Sequence, residues 1–311
     1  MPIRLSGIAS GLDTDSMIKE LMKAERIPVN KLLQKKQTME WKVESYTSFN
    51  LQFSTLRESV SSLRFSGGWN KSDGNGNTVR LSTDEIIAKA KDFVSKYNDT
   101  ISSISGALTE KVNRGFQPLT SEEKAALSET DIKNWETKAK SGILRNDDAL
   151  KSALSALKGL TSAVVSGVDP EFDTLSEIGI TTPKYIVGAS SETNSKLILD
   201  ENKLREAVEK NPEAVISLFS AQGTDTQGKG IFQRAYDAMN TAVTSVTRKI
   251  SGGNVTSMGL IYQMNKIDNK VEFKNEQLNK REDRYYQMFA AMEKAISQSN
   301  AQSSWLSQQF A

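Results

Sequence analysis

Hydrophobic positions in this chain form two long heptad stripes, one near each end, with a mixed helical and β-like pattern between them. From Val29 to Phe65 one line runs Leu32, Met39, Tyr46, Phe53 and Val60, each seven residues apart. A second line, offset by three, runs Phe49, Leu56 and Leu63, with Lys35 and Lys42 interrupting its early half. This spacing predicts one helix over 29–65, a rod of roughly 55 Å. Ahead of it, Gly7 and Gly11 mark an irregular start, and Asp13, Thr14 and Asp15 supply N-cap oxygen and negative charge. Ile18, Leu21 and Met22 then make a short apolar stripe. Pro28 has no amide proton to donate, so a kink or break is expected there. Residues 1–28 read as a separate element, too poor in apolar surface to order alone.

At the other end, Met264, Val271, Leu278, Tyr285 and Met292 are again seven apart. Their partner line, Ile267, Lys274, Arg281, Met288 and Ala295, is only partly apolar. A helix over most of 254–311 is predicted, roughly 60 Å or more in length. A seam this long needs something beside it, and the other terminal helix is the simplest neighbour. The expected fold is therefore mainly α: long antiparallel coiled-coil-like N- and C-terminal helices plus a central helical domain with a small β element. Whether these helices serve only an ordinary α-rich fold or also carry assembly stays open on pattern alone.

Between the stripes, residues 66–81 open with SGGWNKSDGNGN, which is aperiodic and reads as a linker, and Val79-Arg80-Leu81 is a strand remnant at most. The central domain is placed over 82–253. Ser82 to Glu85 is a capping box ahead of a helix bearing Ile86, Ile87, Ala90, Phe93, Val94, Tyr97, Ile101 and Ile104. Thr120 to Glu123 is a second box. Helices are predicted near 121–128, 131–141 and 147–165, the last with Leu150, Leu154, Leu157, Leu160 and Val164. Short β-like runs follow at Ile178 to Ile180, Tyr185 to Val187 and Lys196 to Leu199. Asp200 restarts a helix to Lys210. Asn211-Pro212 opens another through Phe219, and a glycine-rich break at 223–230 precedes one with Ile231, Ala235, Met239, Val243, Val246 and Ile250.

Composition narrows the chemistry. The 311 residues contain no Cys and no His, and 40 Lys+Arg nearly balance 38 Asp+Glu. That removes thiol nucleophiles, thiolate metal sites and the commonest general base and metal ligand. No catalytic constellation stands out, and no catalytic, cofactor-binding or metal residue is assigned. The run Gly67 to Asn77 lacks the spacing of a phosphate loop, and Asp73 to Asn77 lacks the bidentate Glu of a calcium loop. The basic stretch Lys19, Lys23, Arg26, Lys31, Lys35, Lys36, Lys42 has no interleaved stacking aromatics, so it reads as a solvated face or a contact with an acidic neighbour, and no nucleic-acid partner is expected. No apolar run is long enough to insert into a membrane, and the first residues lack the apolar core of a Sec-type signal. Trp305 and Phe310, on the polar tail SQSNAQSSWLSQQF, are either frayed or an anchor for a neighbouring subunit.

Several motifs in order resemble a known family. Ile3-Arg4-Leu5-Ser6-Gly7-Ile8-Ala9-Ser10-Gly11-Leu12-Asp13-Thr14-Asp15, followed by Ile18, Leu21, Met22, Glu25, Arg26 and Pro28, is similar to the N-terminus of the bacterial flagellar filament-capping family, hook-associated protein 2. Phe93-Val94 with Tyr97-Asn98, Trp135 to Asn146, Leu175 to Ile180, and Leu199 to Phe219 are similar to it as well. The resemblance implies a structural, non-enzymatic protein of the flagellum tip, secreted by the flagellar type III route without a cleaved signal. It implies a homo-oligomeric ring, pentamer or hexamer, that helps flagellin fold and insert. Its partners would be itself, flagellin, hook–filament junction proteins and an export chaperone, with no cofactor. Residues Ile18, Leu21, Met22, Trp305 and Phe310 are then candidate terminal assembly contacts, and the two stripes form the leg. The family's β-rich head insertion is missing, with only 66–81 in its place, by engineering or by natural trimming. Another axial component, such as a hook–filament junction protein, and a secreted adhesin remain the alternative readings.

Overall fold

The computed structural model describes residues 11–184, 192–255 and 258–310, which divide into two compact units. The N-terminal motif from Ile3 to Ser10 and the run Tyr185 to Val187 lie outside the described residues. The first unit holds the chain up to Met39, Gln117–Asn134 and Tyr262 onward. The second holds Glu40–Phe116 and Trp135–Ile261. The chain crosses from one unit to the other after Met39, Phe116, Asn134 and Ile261.

Helix α1 runs from Thr14 to Ser61 and contributes to both units. The Asp13 carboxylate caps it, accepting from the Ser16 amide (2.9 Å) and hydroxyl (2.7 Å), and these bonds hold its pKa below the usual range. The helix continues through Pro28, contrary to the expected break. Packing on both sides of the proline explains this: Ile18, Met22 and Val29 are all buried against α9 (Leu260–Gln309). An interior proline costs about 3 kcal/mol, comparable to the burial of two apolar side chains. Residues 14–28 are thus ordered within the chain, not an independent mobile segment.

In the first unit α1 and α9 are antiparallel, because Lys36 meets Asp268 (2.6 Å) while Glu25, nearer the N-terminus, meets Arg281. Leu278 and Phe289 complete the cluster with Ile18, Met22 and Val29, flanked by Val271, Tyr285, Tyr286 and Met292. The helices α3 (Ser121–Ala125) and α4 (Glu129–Lys140) bury no side chain. Their approach is fixed by Gln34, whose amide donates to the Pro118 carbonyl at 2.9 Å.

The second unit contains the main core. Helix α2 (Thr83–Thr109) starts at the predicted capping box, and its eight apolar positions named above, from Ile86 to Ile104, are all buried. It packs against α5 (Asp148–Thr161) and α6 (Glu201–Lys210); α7 (Pro212–Ser220) and α8 (Ile231–Ser251) close the core. Asp200 and Asn211 cap α6 and α7 as their sequence implies. Past Leu160 the buried residues are Ala163 and Val165, while Val164 is exposed, because α5 stops at Thr161 and the chain turns.

The strands are short. β1 (Asn70–Ser72) pairs antiparallel with β2 (Thr78–Arg80), and β3 (Ile180–Thr181) with β4 (Ile198–Leu199). Residues 66–81 are therefore not a linker but a 3-10 turn followed by a hairpin. Trp69 is fully buried, its ring 5.5 Å from Phe219 and 5.9 Å from Phe232, and its indole donates to the Leu63 carbonyl at 2.7 Å. At Gly68 a Cβ would sit 2.1 Å from the Ser62 carbonyl oxygen, so only glycine lets the turn close onto the end of α1.

Glu85 joins the hairpin to α2: it accepts from the Ser82 amide at 2.8 Å and from the Lys71 ammonium at 2.7 Å. Those bonds, Lys71 first, hold its pKa down at about 2. Because the folded value lies below the ordinary 4.5, the stabilisation is present above that pH and is lost as pH falls through about 2. Thermal melts of wild type and Glu85→Gln should therefore differ most near neutral pH and converge as pH falls from about 4.5 to about 2. A constant gap across that window would contradict the ionised cap.

Candidate assembly surfaces

The two heptad stripes do not meet along their length. Only the early part of α1 faces α9, while its later part belongs to the core of the second unit. Tyr46, Phe49, Phe53, Leu56, Val60 and Leu63 are all buried there among residues of α2, α5, α7 and α8. The antiparallel neighbour of this half is α8. Asn50 donates to Thr247 (3.1 Å), Arg57 to Asn240 (3.2 Å) and Arg64, just past the end of α1, to Gln233 (3.3 Å), a ladder stepping seven residues along both segments in opposite directions. Leu32 and Met39, just before this region, are half-buried in the first unit.

On α9 the buried line is Ile267, Leu278 and Phe289, with Val271, Tyr285, Met292 and Met264 half-buried. Met288, assigned to the seam by its heptad position, is 56% exposed. The cause is helical drift. Each strict seven-residue step falls about 20° short of two turns, whereas eleven residues overshoot three turns by about 20°. From Ile267, two eleven-residue steps reach Leu278 and Phe289 on one side, while three heptads reach Met288 about 60° away on the other.

The terminal contact candidates divide similarly. Ile18 and Met22 are buried in the intrachain cluster, so they are occupied within the chain. Leu21, Trp305 and Phe310 are exposed at 39%, 58% and 88%. Leu21 and Trp305 present apolar surface on helices, and Phe310 just past the end of one, the property expected of a docking element.

Sequence reasoning missed Trp69, Phe289 and the pair Tyr46–Asp147. The Tyr46 hydroxyl donates to Asp147 at 2.6 Å, and the same carboxylate caps α5 through the Leu150 amide at 3.1 Å. Burial, then the bond to Asp147, pushes the Tyr46 pKa up. A tryptophan inside a glycine-rich stretch was the available signal for Trp69, since such a residue is rarely left in solvent.

Chemically the surface is plain. An open concavity of about 860 Å³ beside the C-terminal end of α8 is lined by Val243, Thr247, Arg248, Asn254 and Met258, with Asp148 and Ser152 opposite. Its charged lining is one carboxylate with two cations, Arg248 and Lys249. Among the described residues no group of three or more His, Cys, Asp or Glu could hold a metal ion, and no helix is long and apolar enough to cross a membrane.

Comparison with known proteins gives a consistent result. The flagellar hook-associated protein 2 of Halalkalibacterium halodurans is 29% identical over 253 residues, 75% of this chain and 46% of that protein. The protein of the same name from Thermotoga maritima is 29% identical over 232 residues, 74% of this chain and 34% of that protein. The chain thus spans less than half the length of these curated relatives. A crystal structure described as the flagellar cap protein FliD D1-D2-D3 domains from Escherichia coli is similar at a TM-score of 0.34 and 24% identity, covering 61% of this chain and 38% of that one. The family model described as the flagellar hook-associated protein 2 C-terminus matches residues 35–301. With most of its length inside that match, the chain belongs to the flagellar hook-associated protein 2 family.

Proposed function

We propose that this chain is the leg and adjoining helical region of a self-assembling cap of the bacterial flagellar filament, with no enzymatic step of its own. The observation that carries this reading is the family match across residues 35–301, which takes in the whole second unit and, of the first, Gln117–Asn134 and most of α9. In this role the protein forms a homo-oligomeric ring at the distal tip, where it holds arriving flagellin while it folds and inserts. Hook–filament junction proteins and an export chaperone are its further partners, and the flagellar type III route delivers it outside the cell. The exposed apolar residues at the end of α9 support an assembly role, because a helix that carries them gains by covering them.

The test is complementation of a strain lacking its cap protein. Expression of this chain should move flagellin from the culture medium into filaments, scored by immunoblot and electron microscopy. Flagellin that stays in the medium while this chain reaches the tip would overturn the insertion role. Long filaments in the uncomplemented strain would favour the adhesin reading instead.

A further inference from the structure

Trp305 and Leu306 on the last turns of α9, and Phe310 just past its end, are 58%, 48% and 88% exposed, and the stretch from Ser297 to Phe310 contains no charged residue. In the same unit an open groove of about 700 Å³ runs along the α1 face bearing Glu20, Ala24, Ile27 and Lys31, with Glu123 and Ala126 on the opposite wall. Ile27 is 51% exposed within it. From Glu20 to Gln34 the groove follows about 21 Å of helix, and the stretch from Ser297 to Phe310 is of nearly the same length.

The tail cannot reach the groove of its own chain. Glu25 is level with Arg281, and Trp305 lies a further ~36 Å along α9, which runs unbroken to Gln309. The charges also fit a tail of this kind. The groove presents Lys23 and Lys31 beside Glu20, Glu122 and Glu123, so a helix of one charge sign would leave the other sign opposed. Serine and glutamine side chains donate to carboxylates and accept from ammonium groups, matching both. The carbonyls at the end of α9 add the negative pole of the helix dipole, which favours Lys23 and Lys31.

We infer that the α9 tail of one copy docks into the α1–α3 groove of a second copy, with Trp305 and Leu306 seated against Ala24 and Ile27. The contact is heterologous: each copy offers a different patch, so it propagates head to tail and closes into a ring when the rotation permits. The inference rests on the self-assembly proposed above and assigns that assembly a surface.

The absence of native cysteine makes the test clean. Full-length Ile27→Cys and Trp305→Cys chains, differently tagged, are mixed and oxidised. A disulfide-linked dimer containing both tags is expected. Trp305→Ala should weaken assembly, read by light scattering against concentration, about tenfold or more. Leu51→Ala, at a 70% exposed position on α1 outside the groove, should leave assembly unchanged. Wild-type assembly without the cross-link, or with Trp305→Ala assembling as well as wild type, overturns the docking and leaves self-assembly standing. A wild-type chain that stays monomeric at every concentration overturns both.

Discussion

Replacing Trp69 with alanine is expected to lower the unfolding free energy by about 3–5 kcal/mol, read as a shift of the denaturant midpoint at unchanged slope. The side chain is fully buried and stacks on two phenylalanines, so its removal leaves a cavity that rigid rings cannot collapse into. It also strips the Leu63 carbonyl of its indole donor just beyond the end of α1. Trp69→Phe should separate the two contributions: it keeps an aromatic ring but loses that bond, for about 1–3 kcal/mol. If Trp69→Ala melts like wild type, residues 66–81 are a dispensable linker after all, and the hairpin is not part of the core.

The second large effect is expected from Phe53→Asp combined with Leu56→Asp. Both positions are fully buried beside α2 and α8 in the second unit. Each carboxylate would lose its hydration with no partner to replace it, a penalty of several kcal/mol per ion. Against a typical domain stability of about 5–15 kcal/mol, two such penalties should abolish the cooperative melt and the near-ultraviolet dichroism of the aromatic core. Met288→Asp, also placed on a seam by the heptad pattern, should change stability by no more than about 0.5 kcal/mol, because that side chain faces solvent. If the double variant keeps its melt, α1 does not pack as described.

Much of the secondary structure was legible because its signals are local. Ser82 with Glu85, Thr120 with Glu123, Asp200, and Asn211 before Pro212 each satisfy amides within one turn of their own position, so a short window of sequence contains the whole interaction. The apolar faces of α2 and α8 were readable for the same reason. Pro28 misled because its cost is local while its compensation, burial of Ile18, Met22 and Val29, comes from residues about 250 positions away in α9. The stretch 66–81 misled because glycine reads as flexibility. Gly68 is instead there so that backbone can lie against backbone.

That this chain is built on long helices with apolar stripes, where most of those helices start, and which family it belongs to are all written in its residues. What each stripe touches is settled by packing. A period of seven states that one side of a helix is apolar, and it is silent about the neighbour, since any greasy surface of matching length satisfies it equally. Here α1 meets α9 over its first half and is taken into the α2 and α8 core over its second. The same silence covers register: a difference of one position, Met288 or Phe289, lies within the drift of a straight helix, and contact with a specific partner is what separates them.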